Sequence, residues 1–212
     1  MNGSILTKQE HARVAEAIRR EETRTSGEII CVLARGSDGY FYPAAFALAI
    51  ATLIASIVAA IVIDRLWIIF PTWQFVLAQL CAYGGALALI GWWPHLRIHF
   101  VPKALRFRRA HHNAVTQFLA RNIHVTENRT GVLIFLSLAE RYAEIVADAA
   151  INAHVPQERW NEIVAALTAR AAKGEIAEGF EKAIAATGAL LAASFPVGAG
   201  NTNELDDHLV EI

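Results

Sequence analysis

The sequence predicts an α/β fold in which helices cover a small mixed sheet, with a two-helix transmembrane hairpin inserted into the domain. Three observations predict it. Two uncharged apolar runs, Ala44 to Ile63 and Leu66 to Trp93, are separated only by Asp64 and Arg65. Each is long enough to cross a hydrocarbon core of roughly 30 Å at about 1.5 Å per helical residue. The segments before and after this stretch each carry only part of a soluble domain, so the hairpin reads as an insertion. The domain plan is therefore residues 1–42 and 95–196 as the two parts of one soluble domain, 43–94 as the hairpin, and 197–212 as a polar acidic tail.

In chain order, Thr7 opens the first helix with a capping box to Glu10, each side chain satisfying the other's free backbone donor. That helix runs to about Arg24, with Val14, Ala15, Ala17 and Ile18 inward and Arg13, Glu16, Arg19, Arg20, Glu21 and Glu22 toward water. Thr25-Ser26-Gly27 breaks it. Glu28 to Ala34 is then a continuous, mostly β-branched run of the kind a buried strand shows.

Within the hairpin, Ala47, Ala51, Ala55 and Ala59 recur every four residues, as do Ala78, Ala82 and Ala86. Such small-residue stripes are packing surfaces in lipid and offer a route to self-association. Tyr40, Phe41, Tyr42, Trp67, Trp73, Trp92 and Trp93 fall where membrane interfaces belong. Pro71 and Thr72 fit the turn, placing the start of the second span near Trp73. Arg97, Lys103, Arg106, Arg108 and Arg109 follow the hairpin, whereas its tip offers Arg65 beside Asp64. The positive-inside rule then puts the soluble parts in the cytoplasm of a multi-pass inner-membrane protein.

Beyond the hairpin, Lys103 to Asn122 reads as a helix with Leu105, His112, Val115, Phe118 and Leu119 on one face. It could lie on the anionic leaflet or pack on the sheet, and the continuation of the apolar face past the basic cluster favours packing. Val132 to Leu138 and Tyr142 to Ala147 form a strand hairpin through Ala139-Glu140-Arg141. Pro156 starts a helix that carries Trp160, Ile163, Val164 and Leu167 inward and stops at Gly174. A last helix from Glu175 to Ser194, with Ile176, Phe180, Ile184 and Leu191, ends at Phe195-Pro196, and the tail after Gly198 reads as loose.

Composition narrows the function. In the 212 residues, 19 Lys and Arg stand against 20 Asp and Glu, so no nucleic-acid footprint is present. Cys31 and Cys81, in a strand and in the second span, form no disulfide framework, which fits a reducing compartment. There is no phosphate loop, nucleophile elbow, H-E-x-x-H or paired-cysteine spacing. His95 and His99 have a metal spacing if helical, but beside Trp92, Trp93 and Arg97 they read better as interfacial residues, and His111 and His112 point to different helix faces. The tail carboxylates Glu204, Asp206 and Asp207 lack the pattern of a calcium loop and read as solvated.

Three segments carry a resemblance: Thr25-Ser26-Gly27-Glu28-Ile29, the strand from Arg129 to Ser137, and Glu140 to Asp148. Together they resemble the TPM domain over roughly residues 5 to 40 and 103 to 196. The resemblance implies a helix-covered sheet. It also implies roles that differ among similar domains, from photosystem maintenance in the thylakoid lumen and receptor modulation to acid phosphatase activity and the binding of a divalent cation such as calcium. Many similar domains belong to bacterial membrane proteins. This chain departs from them in the placement of its anchor and in having Asp148-Ala149-Ala150 where a glycine-rich turn is common.

The candidate site residues are Asp148, which ends an apolar strand, Glu28, which opens the first, and Arg141 in the strand turn. Asp148 and Glu28 are the candidate metal ligands, and Arg141 or Arg129 would grip a phosphate. The plainer reading is that Asp148 caps a loop and the arginines pair on the surface. The leading expectation is a membrane-integral binding or assembly module that meets another membrane protein at the bilayer surface. Its rival is a metal-assisted phosphatase with Asp148 as ligand or nucleophile.

Overall fold

The structure, a computed structural model, describes residues 4–67, 69, 71–125, 129–197 and 208–212. The tail carboxylates Glu204, Asp206 and Asp207, and Asn128, lie outside the described residues. The chain divides into two compact units, residues 1–37 with 107–212, and residues 38–106.

The first unit is a mixed sheet between helical layers. Helix α1 (Lys8–Glu22) starts at the capping box, with the Thr7 N–H donating to Glu10 at 2.8 Å and the Glu10 N–H to the Thr7 hydroxyl at 3.2 Å. Strand β1 (Glu28–Ala34) is buried at every position, as its unbroken apolar run requires. It pairs in parallel with β2 (Gly131–Ser137), Glu28 opposite Gly131, and β2 pairs antiparallel with β3 (Tyr142–Ala147). A fourth strand, β4 (Leu209–Glu211), lies parallel to β1 on its other side, giving the order β3-β2-β1-β4.

The described end of the tail is thus part of the sheet and not loose. What holds it is Glu211, whose carboxylate accepts from the backbone N–H groups of Ile5 and Leu6 at 2.8 and 2.9 Å, from the Ser4 hydroxyl at 2.8 Å, and from His11 at 2.9 Å.

Because side chains alternate across a strand, Ile29, Cys31, Leu33, Val132, Ile134 and Leu136 face one helical layer. That layer is α1 with α6 (Gln157–Ala171) and α7 (Ile176–Ser194). Ile30, Val32, Ala34, Leu133 and Phe135 face α4 (Lys103–Ala120) on the other side. The helix thus packs on the sheet, but through Ala110, Ala114 and Phe118. His112 and Leu119 are exposed, so the inward stripe is rotated from the one the sequence suggested. Small alanines let the helix approach, and the larger residues flank the contact.

A short helix α5 (Ala149–Asn152) follows β3. Glu21, expected in water, is buried: α7 offers Gly188, where an added Cβ would stand 2.5 Å from the Glu21 Cβ. Burial is tolerated because Arg24 and Arg20 pair with the carboxylate at 3.0 and 3.4 Å. Gly174 ends α6 with φ +82, the left-handed conformation a glycine accepts without strain.

The second unit holds α2 (Phe41–Arg65) and α3 (Thr72–Trp92), both long and apolar enough to cross a membrane by length and composition. The side of α2 turned inward runs through Ala44, Leu48, Thr52 and Ser56, one step from the alanine stripe, and Ala51 and Ala55 are exposed. The alanine stripe is therefore not the contact within the hairpin. At the base, Arg97 donates to the carbonyls of Ile90 (2.8 Å) and Gly91 (3.2 Å) near the end of α3, and to Gly39 (3.3 Å) just ahead of α2. Its guanidinium also lies 5.3 Å from the Phe41 ring centre. Tyr40, Ala44, Ile90 and Val101 form a small core there.

The Glu211 clasp makes stability depend on pH. Partial burial raises its pKa, but the hydrogen bonds from Leu6, Ile5, Ser4 and His11 outweigh it and hold the carboxyl at about 2, against 4.5 for a free glutamate. A depressed folded-state pKa stabilises above the unfolded value, and the contribution disappears as pH falls from about 4.5 to about 2, for a total on the order of 3 kcal/mol. Glu211→Gln should melt below wild type at pH 7, and the gap between the two melting temperatures should close over that interval. A gap that stayed constant down to pH 2 would show that the carboxylate charge does not hold β4.

Candidate functional site

The two ends of the sheet differ, and the sequence candidates divide between them. At the amino end of β1 and β2, Glu28 pairs in register with Gly131, and the Asp148 N–H donates to the Gly131 carbonyl at 3.0 Å. Glu28 and Asp148 therefore flank the start of β2, with backbones about 10 Å apart at ordinary strand spacing. Both are buried, 3% and 9% exposed. Asp148 caps α5, one oxygen accepting from the Ala149 N–H at 2.6 Å, while its other oxygen is buried with no hydrogen-bond partner among the described residues. A Cβ at Gly131 would lie 2.5 Å from the Ile123 carbonyl oxygen, so the backbone is packed tightly against this end.

Arg141 lies at the other end. It occupies the turn after β2 with φ +53, its N–H bonded to the Leu138 carbonyl at 3.1 Å. Seven strand residues separate the two ends, roughly 20 Å at about 3.3 Å per residue. Arg141 therefore does not join Asp148 and Glu28. The strand-end argument for Asp148 also lapses, because β3 runs antiparallel and its carboxyl end lies beside the amino ends of β1 and β2.

The carboxyl ends of the parallel strands, where open α/β sheets gather ligands, carry a different set. Glu140 is 2% exposed and accepts from the Ser37 N–H at 2.9 Å and from the Ser137 hydroxyl, and the two serine oxygens are 3.2 Å apart. Next to them is a cavity of about 440 Å³ lined by Leu136, Ser137, Arg141, Thr168, Ala172 and Ile176. It is a mostly apolar pocket with one guanidinium at its rim, suited to a small anion with an apolar body. Sequence reasoning placed Glu140 in the turn but missed Ser37 and Ser137. The only sequence signal was a serine closing an otherwise apolar strand three residues before a glutamate.

The remaining candidates scatter. His95 and His99 are exposed on a 3₁₀ helix, Pro94–Phe100, whose three-residue turn takes i and i+4 off a common face. His111 and His112 are both exposed, and His111 bonds Glu144 at 2.9 Å. Arg129 is exposed with φ +51. Burial, and then the Glu22 charge, push the Cys31 thiol up, so it stays protonated at neutral pH. Among the described residues no group of three or more His, Cys, Asp or Glu side chains could hold a metal ion.

A mixed sheet between helices, with two long apolar helices inserted after its central strand, defines a class of domain before any family does. Residues 95–190 match the family model described as TPM domain, so the chain carries a TPM domain. The matched range takes in β2, β3 and the helices around them, and β1 lies outside it. The chain also resembles the BA42 protein from the psychrophilic bacterium Bizionia argentinensis, whose structure was solved by NMR. The TM-score is 0.61 at 18% identity, covering 100% of this chain and 98% of that one, a likeness of fold. No curated protein matches the chain.

The Glu140 cluster gives a prediction that separates support from chemistry. Glu140→Ala leaves the Ser37 N–H and the Ser137 hydroxyl without their acceptor and should destabilise the domain by about 2 to 3 kcal/mol in denaturant unfolding. Glu140→Gln keeps an acceptor and should cost about 1 kcal/mol. Equal losses for both variants would mean that the negative charge, and not the acceptor geometry, is what matters.

Proposed function

We propose that this protein is a multi-pass protein of a bacterial inner membrane whose TPM domain faces the cytoplasm and acts as a binding or assembly module for another membrane protein. The observation that carries this reading is the position of the hairpin: it leaves the chain between the central strand β1 and the helix α4 that covers it. Such a domain is joined to the hairpin at two points of its own chain, which suits keeping whatever it binds near a bilayer.

The division of the candidate residues supports binding over catalysis. Asp148 and Glu28 stand at one end of the sheet and Arg141 at the other, so a carboxylate-held cation and an arginine-held phosphate would not meet. The phosphatase reading keeps one support, the cavity that Arg141 and Ser137 line. A cation such as calcium, if bound, would draw on Asp148 and Glu28, with further ligands needed from outside that pair.

Two measurements test the proposal. In the first, wild type and Asp148→Ala are expressed at matched levels, gently solubilised from membranes, and compared by native pulldown and by phosphate release from para-nitrophenyl phosphate. A membrane protein retained by both, with no phosphate release, is the expected result. Phosphate release that Asp148→Ala abolishes while remaining folded, with no partner recovered, would replace the binding reading by the phosphatase. In the second, a cysteine at Asp64 in a Cys81→Ser background is labelled with an impermeant maleimide. Labelling from outside the cell is expected, and labelling only after the membrane is opened would reverse the orientation.

A further inference from the structure

Strand β3 is an edge strand whose outer side lies open in a groove. The floor is β3 itself, one wall is α4 through His111 and Val115, and the other is α6 through Trp160, Asn161 and Val164, enclosing about 400 Å³. The bond from the Asp148 N–H to the Gly131 carbonyl fixes the phase of the β2–β3 ladder. In an antiparallel pair that phase turns the backbones of Tyr142, Glu144 and Val146 toward β2, and those of Ala143, Ile145 and Ala147 toward the groove. The Asn152 side chain, which donates to the Ala147 carbonyl at 2.7 Å, confirms the assignment and closes that end. The N–H and C=O of Ala143 and Ile145 remain without a backbone partner among the described residues.

Edges of this kind are normally blunted by Lys, Pro, a bulge or a covering segment. The opposite edge strand, β4, is three residues long and tied to the N-terminal segment through Glu211. On β3 the walls stand beside the edge and leave it open. A second observation points to a missing acceptor. Trp160 lines the groove, is 2% exposed, and its indole N–H has no hydrogen-bond partner among the described residues. A buried donor left in this state costs about 1 to 3 kcal/mol, so an occupant that supplies a carbonyl recovers that loss.

Charge selects the occupant. The one carboxylate in the groove, Glu144, is bonded by His111 at 2.9 Å and by the Tyr142 hydroxyl at 2.8 Å, and Asn152, Gln157 and Asn161 are neutral amides. No Lys or Arg is among the groove's lining residues to hold an anion, and alternating donors and acceptors match a peptide backbone. The enclosed volume of about 400 Å³ is on the scale of a few residues of one extended chain and far below that of a folded domain.

We propose that the free edge of β3 accepts an extended peptide segment of a partner protein as an added strand, its backbone pairing with Ala143 and Ile145 and one carbonyl reaching the Trp160 indole. Alternate side chains of the guest meet unlike walls, so the segment carries apolar residues toward Trp160 and Val164 and polar ones toward His111 and Glu144. This names a surface for the binding module proposed above and rests on that reading.

The test uses full-length protein in detergent micelles, panned against a displayed library of random seven-residue peptides, with Ile145→Pro as counter-target. Proline there removes an outward N–H and no bond to β2, and edge strands tolerate it. Asn161→Trp, at an exposed site on α6, narrows the groove without touching the strand. Circular dichroism establishes that both variants fold. Enriched peptides should bind each variant at least about tenfold more weakly, roughly the worth of one or two net hydrogen bonds. They should also slow amide exchange at Ala143, Ile145 and Ala147.

No peptide enriched over Ile145→Pro, or enriched peptides that leave those amides unprotected, would overturn the proposal. A membrane partner that both variants retain in pulldown would overturn it too, while leaving the binding module intact at another surface. Peptides seated on β3 with no membrane partner recovered would do the reverse.

Discussion

Everything in the first unit depends on the parallel pairing of β1 with β2. Parallel neighbours cannot be joined by a tight turn, so the chain must leave the sheet and return. Here that detour is the longest in the chain, from Ala34 to Gly131, and it contains α4 as well as both apolar helices. The hairpin can therefore be inserted without breaking a ladder. It occupies a connection that had to exist, and α4 then completes the crossover by covering the face that Ile30, Val32, Leu133 and Phe135 present. Placing the hairpin within the β2–β3 turn would have separated strands that pair through four intervening residues. β1 accepts its central position because all seven of its residues are buried and pair on both sides, with β2 over the full length and with β4 over three residues.

Arg97 shows why a charge rule and a structure describe the same residue differently. In the sequence it is one of several cations that bias topology. In the fold it satisfies carbonyls near the end of α3, where cations are favoured by the helix dipole, and reaches Gly39 ahead of α2 with the same guanidinium. A lysine, with a single ammonium, could not serve three carbonyls in this fork geometry. The base of the hairpin is therefore fixed by a side chain whose position would be suitable for orientation in any case, and the two roles do not compete.

The fold was largely legible because its elements carry strong local signals. The Thr7–Glu10 capping box, the continuous apolar run of β1, the β2–β3 hairpin and the stops at Gly174 and Phe195 depend on residues adjacent in sequence, and each falls within three residues of the structural boundary. What could not be read depends on distant partners. β4 has three residues and no periodicity, and its anchoring contacts run from Glu211 to residues about 200 positions away. Glu21 looked solvated because the glycine that lets α7 cover it is Gly188. Val115 and Leu119 outranked Ala110 and Ala114 on hydrophobicity, yet close packing against a sheet favours the small residue. The candidate site was read least well, since the separation of Arg141 from Asp148 follows from the direction of β3 and not from any property of either residue.

That separation bears on how a domain of this kind works. A catalytic site needs convergence, and the sheet supplies two differently equipped ends: the buried carboxylates of Glu28 and Asp148 at one, and Arg141 beside a mostly apolar pocket and the hydrogen-bonded Glu140 at the other. Recognition has a weaker requirement, because an edge strand offers repeated backbone groups whose spacing is set by the ladder itself and needs no special side chains. The buried indole of Trp160 and the unpaired backbone of Ala143 and Ile145 are costs in an isolated domain. They cease to be costs when a chain lies along β3. The Trp160 indole and the open backbone of Ala143 and Ile145 thus stand together at one edge of the sheet, where a partner could complete them, away from β4 and the N-terminal segment.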